Sequence, residues 1–452
     1  MINNFSNYYF IGIGGAGMSA LAGWLCEKKF KVSGFDQKST VFTSQLKKMG
    51  IEISHNNSIG EILKKNISKG DTIIVYTPAV NKKNNLLQYF LQNNFLVLKR
   101  SELLQKVSLS YRVIAVAGTH GKTTTCAMLA HILNEKGFSP NAIFGGISLN
   151  FHANYLCGSS DILILEADEF DKSFLNLSPS LSLITSIDKD HVETYLDKTD
   201  LTTSFAKFCL NTILKHQSSN SFKLDEKSPL IFSHNIHIDD ILKIKNYIKK
   251  NTKVFPSEGL IKRETTTNKL ILPTFMAYHN KLNAIYVSIL LKKIGLNYLS
   301  IEDGFKTFKG VWRRFQYHSN NEKLILIDDY AHHPEELKFL IKSVKILHPN
   351  KPIFLIFQPH LYSRTKDLEQ EFCEVLSTVD KLILLDIYGA RESNDLDINS
   401  KSLVEKITCK YKWYLQNEKV CDLLRLEKPG LIITAGAGDI YELSKKIKTE
   451  LT

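Results

Sequence analysis

The chain has little cysteine and none of it in a metal or redox spacing. Cys26, Cys126, Cys157, Cys209, Cys373, Cys409 and Cys421 are odd in number, scattered, and include no C-x-x-C pair, which argues against a disulfide framework or a zinc site. There is no run of roughly 18 apolar residues, the length needed to cross a bilayer. Met1-Ile2-Asn3-Asn4 lacks the basic and then apolar pattern of a secretory leader. The expectation is a cytoplasmic protein without a membrane partner. Clustered charge is missing too: the net +12 comes from 58 Lys+Arg against 46 Asp+Glu, spread along the chain with no aromatic-interleaved basic module. Nucleic acid is therefore not expected, and the cation excess is read as a compositional bias with a secondary benefit for attracting anionic substrates.

What is present is an α/β pattern that starts three times. At roughly 150 residues per domain, 452 residues suit about three domains. In residues 1–105 the apolar stretches YYFIGIG, KVSGFD, DTIIVY and FLVLKR alternate with helical spans; in 106–311 the strands are RVIAVAG, DILILEAD and LSLITSI; in 312–452 they are KLILIDDY, PIFLIFQPH, KLILLDIY and GLIITAGAG. The fold expected is α/β, with three successive open-sheet domains, mainly parallel. Residues 215–273, rich in Lys, Asn and Ser, carry no specific signal and are assigned to the central domain.

Two strand-loop-helix stretches look built to hold phosphate. The first runs through Gly12, Gly14, Gly15, Ala16, Gly17 and Met18, with Asp36 ending the next strand, the context of a dinucleotide fingerprint. The second is Gly118-Thr119-His120-Gly121-Lys122-Thr123-Thr124-Thr125. Small residues there turn backbone N–H groups toward a phosphate chain, Lys122 neutralises its oxygens, and the Thr123 hydroxyl suits Mg²⁺. This loop is two residues shorter than the common G-x-x-x-x-G-K-[ST] form. The strand DILILEADEF ends on Glu166, Asp168 and Glu169, where a hard cation on nucleotide phosphates finds a carboxylate. Asp190 and His191 follow the next strand. A nicotinamide enzyme would explain the first loop and leave the second unexplained, and a guanine-nucleotide switch would need an N-K-x-D signature.

G-T-H-G-K-T-T-T, E-A-D-E, D-H-x-x-T-Y, HNKLNA (279–284), GVWRRFQ (310–316), DDYAHHPEE (328–336) and QPHLYSRT (358–365) occur in this order, and in this the chain resembles the Mur ligases, ATP-dependent amide-forming enzymes of peptidoglycan precursor synthesis. With GIGGAGMSALA at the start, it is most similar to the branch that joins L-alanine to UDP-N-acetylmuramate. The branch that attaches a recycled tripeptide to the same nucleotide sugar is the alternative.

The resemblance implies a Rossmann-like first domain for the UDP-sugar, with Asp36 near the uridine, a P-loop ATPase-like central domain, and a Rossmann-like third domain for the amino acid. It implies ATP contacts from His279, Asn280 and Asn283, Mg²⁺ held by Thr123 and Glu166 with a second near His191, and Arg314 reaching the γ-phosphate as the third domain closes. Tyr330, His332, His360 and Arg364 are the candidates for the amino-acid pocket, and Lys122, His191 and Arg314 for catalysis. A rival reading makes Asp328, Asp329, His332, His333 and Glu335 a metal cluster; Glu335 and Glu336 otherwise open a helix after Pro334. Ser186 stands where relatives usually carry Asn, Ala277-Tyr278 where a Gly is more usual, and Gly389 where Pro is common.

Overall fold

The structure is a computed structural model that describes residues 5–60, 67–188, 194–216, 222, 229–252, 261–263, 271–273, 276–390, 392–393 and 397–451. The described residues form three sheets. The first contains β1 (Asn7–Ile11), β2 (Lys31–Phe35), β3 (Glu52–Ser54), β4 (Thr72–Tyr76) and β5 (Leu96–Lys99), all parallel in the order β3-β2-β1-β4-β5. The second contains β6 (Arg112–Ala117), β7 (Asn141–Ser148), β8 (Ala153–Leu156), β9 (Ile162–Ala167), β10 (Leu181–Ile184), β11 (Leu230–Phe232) and β12 (Ile261–Arg263). Its order is β12-β11-β10-β6-β9-β7-β8, with only β8 antiparallel.

The third sheet contains β13 (Gln316–Asn320), β14 (Ile325–Asp329), β15 (Phe354–Phe357), β16 (Lys381–Leu384), β17 (Tyr411–Tyr414) and β18 (Leu431–Ala435) in the order β13-β14-β18-β15-β16-β17. Here β13 alone is antiparallel. The expected three open α/β sheets are observed.

In open α/β sheets, ligands bind at loops where the strand order reverses. In the first sheet β1 lies between β2 and β4, so the glycine turn after Ile11 leaves at the switch point. In the second, β6 lies between β10 and β9, with Ala117 opposite Ile184 and Ala167. The phosphate loop therefore leaves the middle of a sheet whose β6 residues Val113 to Ala117 are all buried. Such continuous apolar runs are what a sheet covered on both faces requires.

Two compact units result, Met1–Leu272 with Asn283–Lys309, and Pro273–Leu282 with Gly310–Thr452. In the first unit one buried apolar cluster runs through both sheets, from Tyr8 and Phe10 to Leu165 and Phe232. Helix Ala16–Glu27 joins them: Trp24 Nε1 donates to Asn141 Oδ1 at 3.1 Å, and Asn154 Nδ2 donates to the Ala16 carbonyl at 2.7 Å. A Cβ on Gly23 would collide with the ring of Tyr155, so a glycine is needed for this close approach.

Residues 215–273 include β11, helix Ile238–Asn251 and β12. Ile241, Ile244 and Ile248 of the helix are buried. They form an apolar stripe among lysines that the composition of the segment conceals.

Candidate functional site

The second phosphate loop is stitched to the end of β10. Gly118 has φ +132°, and a Cβ there would lie 2.7 Å from the Ser186 backbone nitrogen, so no other residue fits. Thr185 Oγ1 donates to the His120 carbonyl at 2.6 Å, the His120 N–H donates to Ser186 Oγ at 2.9 Å, and the Asp188 N–H donates to Thr119 Oγ1 at 3.0 Å. Ser186 thus supports the loop. Gly121, at φ +82°, caps helix Lys122–Glu135 with the Asn283 side chain against it.

Four charged or hydroxylated side chains meet at the start of that helix. Lys122 Nζ donates to the Gly118 carbonyl at 2.6 Å and to Glu169 Oε2 at 2.8 Å. Burial alone would push the lysine pKa down, but the carboxylates of Glu169, Asp168 and Glu166 outweigh it and push the pKa up, so Lys122 is a fixed cation. Thr123 Oγ1 lies 3.0 Å from both carboxylate oxygens of Glu166, and Glu166 Oε2 accepts from the Gly145 N–H at 2.6 Å. An all-oxygen hydroxyl–carboxylate pair held in place by a backbone amide fits Mg²⁺, which keeps several waters and takes one or two protein oxygens beside nucleotide phosphate. His191 lies outside the described residues.

The first glycine turn uses most of its own donors. The N–H groups of Gly12 and Ile13 bond to the Phe35 carbonyl at 2.8 and 3.1 Å, and that of Gly15 to the Gly12 carbonyl at 3.3 Å. Asp36 Oδ2 accepts from the Gly14 N–H at 2.8 Å, and Oδ1 from that of Lys38 at 3.0 Å. Asp36 therefore shapes the turn. The amides that remain for a ligand are those of Ala16, Gly17 and Met18, in the first turn of helix Ala16–Glu27.

In the second unit Arg313 and Arg314 take opposite roles. Arg313 is 2% exposed; its Nε pairs with Asp328 Oδ2 at 3.2 Å, and its Nη atoms donate to the carbonyls of Gly436 and Gly438. Burial works against an ionised Asp328, but His318, Arg313 and Thr434 prevail and hold its pKa low. Arg313 and Phe315 have φ of +58° and +50°. Two left-handed non-glycine residues are costly and persist only when their surroundings impose them; here the Phe315 N–H is clamped by Asp329 Oδ2 at 2.6 Å. Between them Arg314 is held out, its guanidinium carbon 5.0 Å from the Tyr330 ring and Nη1 3.8 Å from Glu336 Oε1.

Around Arg314 the structure gathers the other candidates from strand ends. His332 Nδ1 is 2.9 Å from the Tyr330 carbonyl, its ring centroid is 5.8 Å from that of His360, and His360 Nδ1 is 3.4 Å from Arg364 Nη1. Glu336 Oε2 accepts from the His332 N–H at 3.0 Å. Sequence reading gave Glu336 only a helix-dipole role, and its four-residue spacing from His332 was the available signal. The rival metal cluster does not form: Asp328 faces Arg313 and Thr434, Asp329 faces the amides of Phe315 and Ala331, and His333 caps helix Pro334–Leu347.

The departures have local reasons. Ala277 is in the apolar core of this unit, and the Tyr278 N–H donates to Ser343 Oγ at 3.2 Å. A Cβ on Gly389 would lie 2.7 Å from the Tyr362 ring. His279 packs on Phe315 and Ser343, Asn280 has a buried Oδ1 without a hydrogen bond, and Asn283 lies against Gly121 in the first unit. All three belong to helix Tyr278–Lys293.

Burial pushes His279 and His360 down to about 4, helped by Arg314 for the first and by His332 and Arg364 for the second. An unfolded histidine titrates near 6.5. As pH falls from about 6.5 toward 4 the unfolded chain takes up protons that the folded chain refuses, so stability falls. Burial raises Asp329 to about 6, which acts in the opposite sense. Urea midpoints at pH 7 and pH 5 should show His360→Gln losing less stability on acidification than wild type; an equal loss contradicts the assignment.

Two amide-lined loops leave the switch points of parallel sheets, and one of them gathers a lysine, a hydroxyl and carboxylates, the groups with which a phosphate-loop enzyme works. Residues 7–112 match the family described as Mur ligase family, catalytic domain, residues 116–218 the Mur ligase middle domain, and residues 313–438 the Mur ligase, glutamate ligase domain. A UDP-N-acetylmuramate--L-alanine ligase of Christiangramia forsetii is 38% identical over 100% of this chain and 98% of its own; one of Porphyromonas gingivalis is 37% identical over 98% of each. Among solved structures, the UDP-N-acetylmuramate-alanine ligase of Thermotoga maritima superposes with TM-score 0.75 at 24% identity, covering 97% of both chains. A murein peptide ligase of Psychrobacter arcticus gives 0.66 at 19%, covering 99% of this chain and 98% of its own. The chain belongs to the Mur ligase family.

Proposed function

We propose that the protein joins L-alanine to the lactyl carboxylate of UDP-N-acetylmuramate, with ATP converted to ADP and phosphate, in peptidoglycan precursor synthesis. The observation that carries this reading is full-length identity of 34–38% to relatives bearing that activity in their names. The Lys122–Glu169 and Thr123–Glu166 pairs beside the loop from Gly118 to Thr123 support the ATP part of the reading.

A carboxylate is a poor electrophile, so it must be activated before an amine can attack. A carboxylate oxygen attacks the γ-phosphorus of ATP, the β–γ bridging bond breaks, and ADP leaves. The amine of L-alanine adds to the resulting acyl phosphate carbonyl, and phosphate departs with the former carboxylate oxygen. In this reading Lys122 lies along the β- and γ-oxygens. Thr123 and Glu166 hold Mg²⁺, which supplies charge neutralisation when bound. Arg314 neutralises charge on the transferring group, as an arginine supplied in cis does in related chemistry. Tyr330, His332, His360 and Arg364 form the amino-acid pocket.

ADP release measured with UDP-N-acetylmuramate and L-alanine, singly and together, tests the reading. Release only with both is expected. Release that requires an L-alanyl-γ-D-glutamyl-meso-diaminopimelate peptide in place of L-alanine would assign the recycling activity.

A further inference from the structure

We propose that Arg100 is a further binding residue for the nucleotide sugar, its guanidinium pairing with the diphosphate. This rests on the reading of the first glycine turn as the UDP cradle. Arg100 is the first residue of helix Arg100–Ser108, which follows β5. Its side chain lies against Gly17: a Cβ there would collide with Nη1 and stand 3.0 Å from Cζ. The absence of a side chain at Gly17 makes room for this cation.

A diphosphate needs such a cation here. Four of the turn's N–H groups are consumed internally, and the carboxylate of Asp36 sits on the Gly14 amide. The remaining first-turn amides offer only about half an elementary charge, against a negative charge on each phosphate. A guanidinium supplies a full charge and a planar fork matched to phosphate oxygens. On its far side Arg100 Nη2 is 3.5 Å from Asp168 Oδ2, with the two side chains 22% and 35% exposed. Asp168 lies between Glu166 and Glu169, the partners of Thr123 and Lys122. The Asp168 contact uses Nη2 and leaves Nη1 turned toward Gly17. One arginine thus spans from the first cradle to the acidic loop of the second and fixes where the diphosphate lies relative to the ATP loop.

Isothermal titration of the full chain with UDP, UDP-N-acetylglucosamine and UDP-N-acetylmuramate tests this. Arg100→Ala should weaken all three by the same factor, about ten- to a hundredfold for a charge-assisted pair, with ATP affinity unchanged. Arg100→Lys, which keeps the charge beside Asp168, should recover part of the loss. A loss confined to UDP-N-acetylmuramate would move Arg100 to the lactyl carboxylate and overturn the assignment. Unchanged UDP binding in folded Arg100→Ala and Arg100→Lys would also overturn it. Wild-type binding of UDP without UDP-N-acetylmuramate would instead count against the proposed function and leave the Arg100 comparison on UDP intact.

Discussion

Lys122→Ala is expected to lower turnover about 10³-fold, the scale on which a fixed donor to developing charge acts, and also to destabilise the fold. The second effect follows from Glu169, which is 1% exposed and takes both carboxylate oxygens to Lys122. Removing the lysine takes the cation from a buried carboxylate, and breaking a buried ion pair in this way costs about 3–5 kcal/mol. The two effects separate in Lys122→Ala/Glu169→Gln, which should regain most of the stability in a denaturant titration and none of the turnover. Recovery of turnover in the double variant would reduce Lys122 to a structural cation. Glu169 also has a role in the reaction cycle on this account, since it keeps the lysine charged and in place before the triphosphate arrives.

Arg314→Ala should likewise lower kcat by about 10³-fold, here without loss of stability. Its side chain is 31% exposed and its ion pair to Glu336 spans 3.8 Å, the kind of contact that contributes about 0–1 kcal/mol. The backbone that presents it is fixed by neighbours: Arg313 through Asp328 and the Gly436 and Gly438 carbonyls, Phe315 through Asp329. The adjacent arginine provides the contrast, because Arg313→Ala would take the guanidinium from the fully buried Asp328, leaving that carboxylate to His318 and Thr434, and register as lost stability. Steady-state kinetics with denaturant midpoints on both variants checks the division of roles, and near-normal turnover of Arg314→Ala contradicts it.

The positions of the loops were legible because they depend on local rules. Apolar runs such as RVIAVA and LIITA gave strands, and the small residues from Gly118 to Thr123 marked a loop, in which the structure has Gly118 and Gly121 at φ +132° and +82°. Short edge strands were not legible: β3, β12 and β13 carry polar residues, as in EIS, IKR and QYHSN, and are specified by the neighbour they pair with. Arg314 was singled out through the resemblance; local rules alone do not tell it from Arg313, whose burial goes with positive φ at Arg313 and Phe315. Arg100 was invisible for a further reason. It lies 83 residues from Gly17 in the chain (100 − 17), and only the folded first unit brings them together. The bond from the Gly14 N–H to the Asp36 carboxylate, across 22 residues, is likewise a contact that no local rule announces.

The central claim is that one cradle delivers a carboxylate to the phosphoryl group held by the other. The most direct measurement uses UDP-N-acetylmuramate labelled with ¹⁸O in the lactyl carboxylate, with unlabelled ATP and L-alanine in unlabelled water, and mass analysis of the phosphate released. Transfer of one carboxylate oxygen into each phosphate is predicted, because the bond formed during activation is the one kept when the amine displaces the leaving group. Phosphate free of ¹⁸O, with amide product formed, would contradict the account.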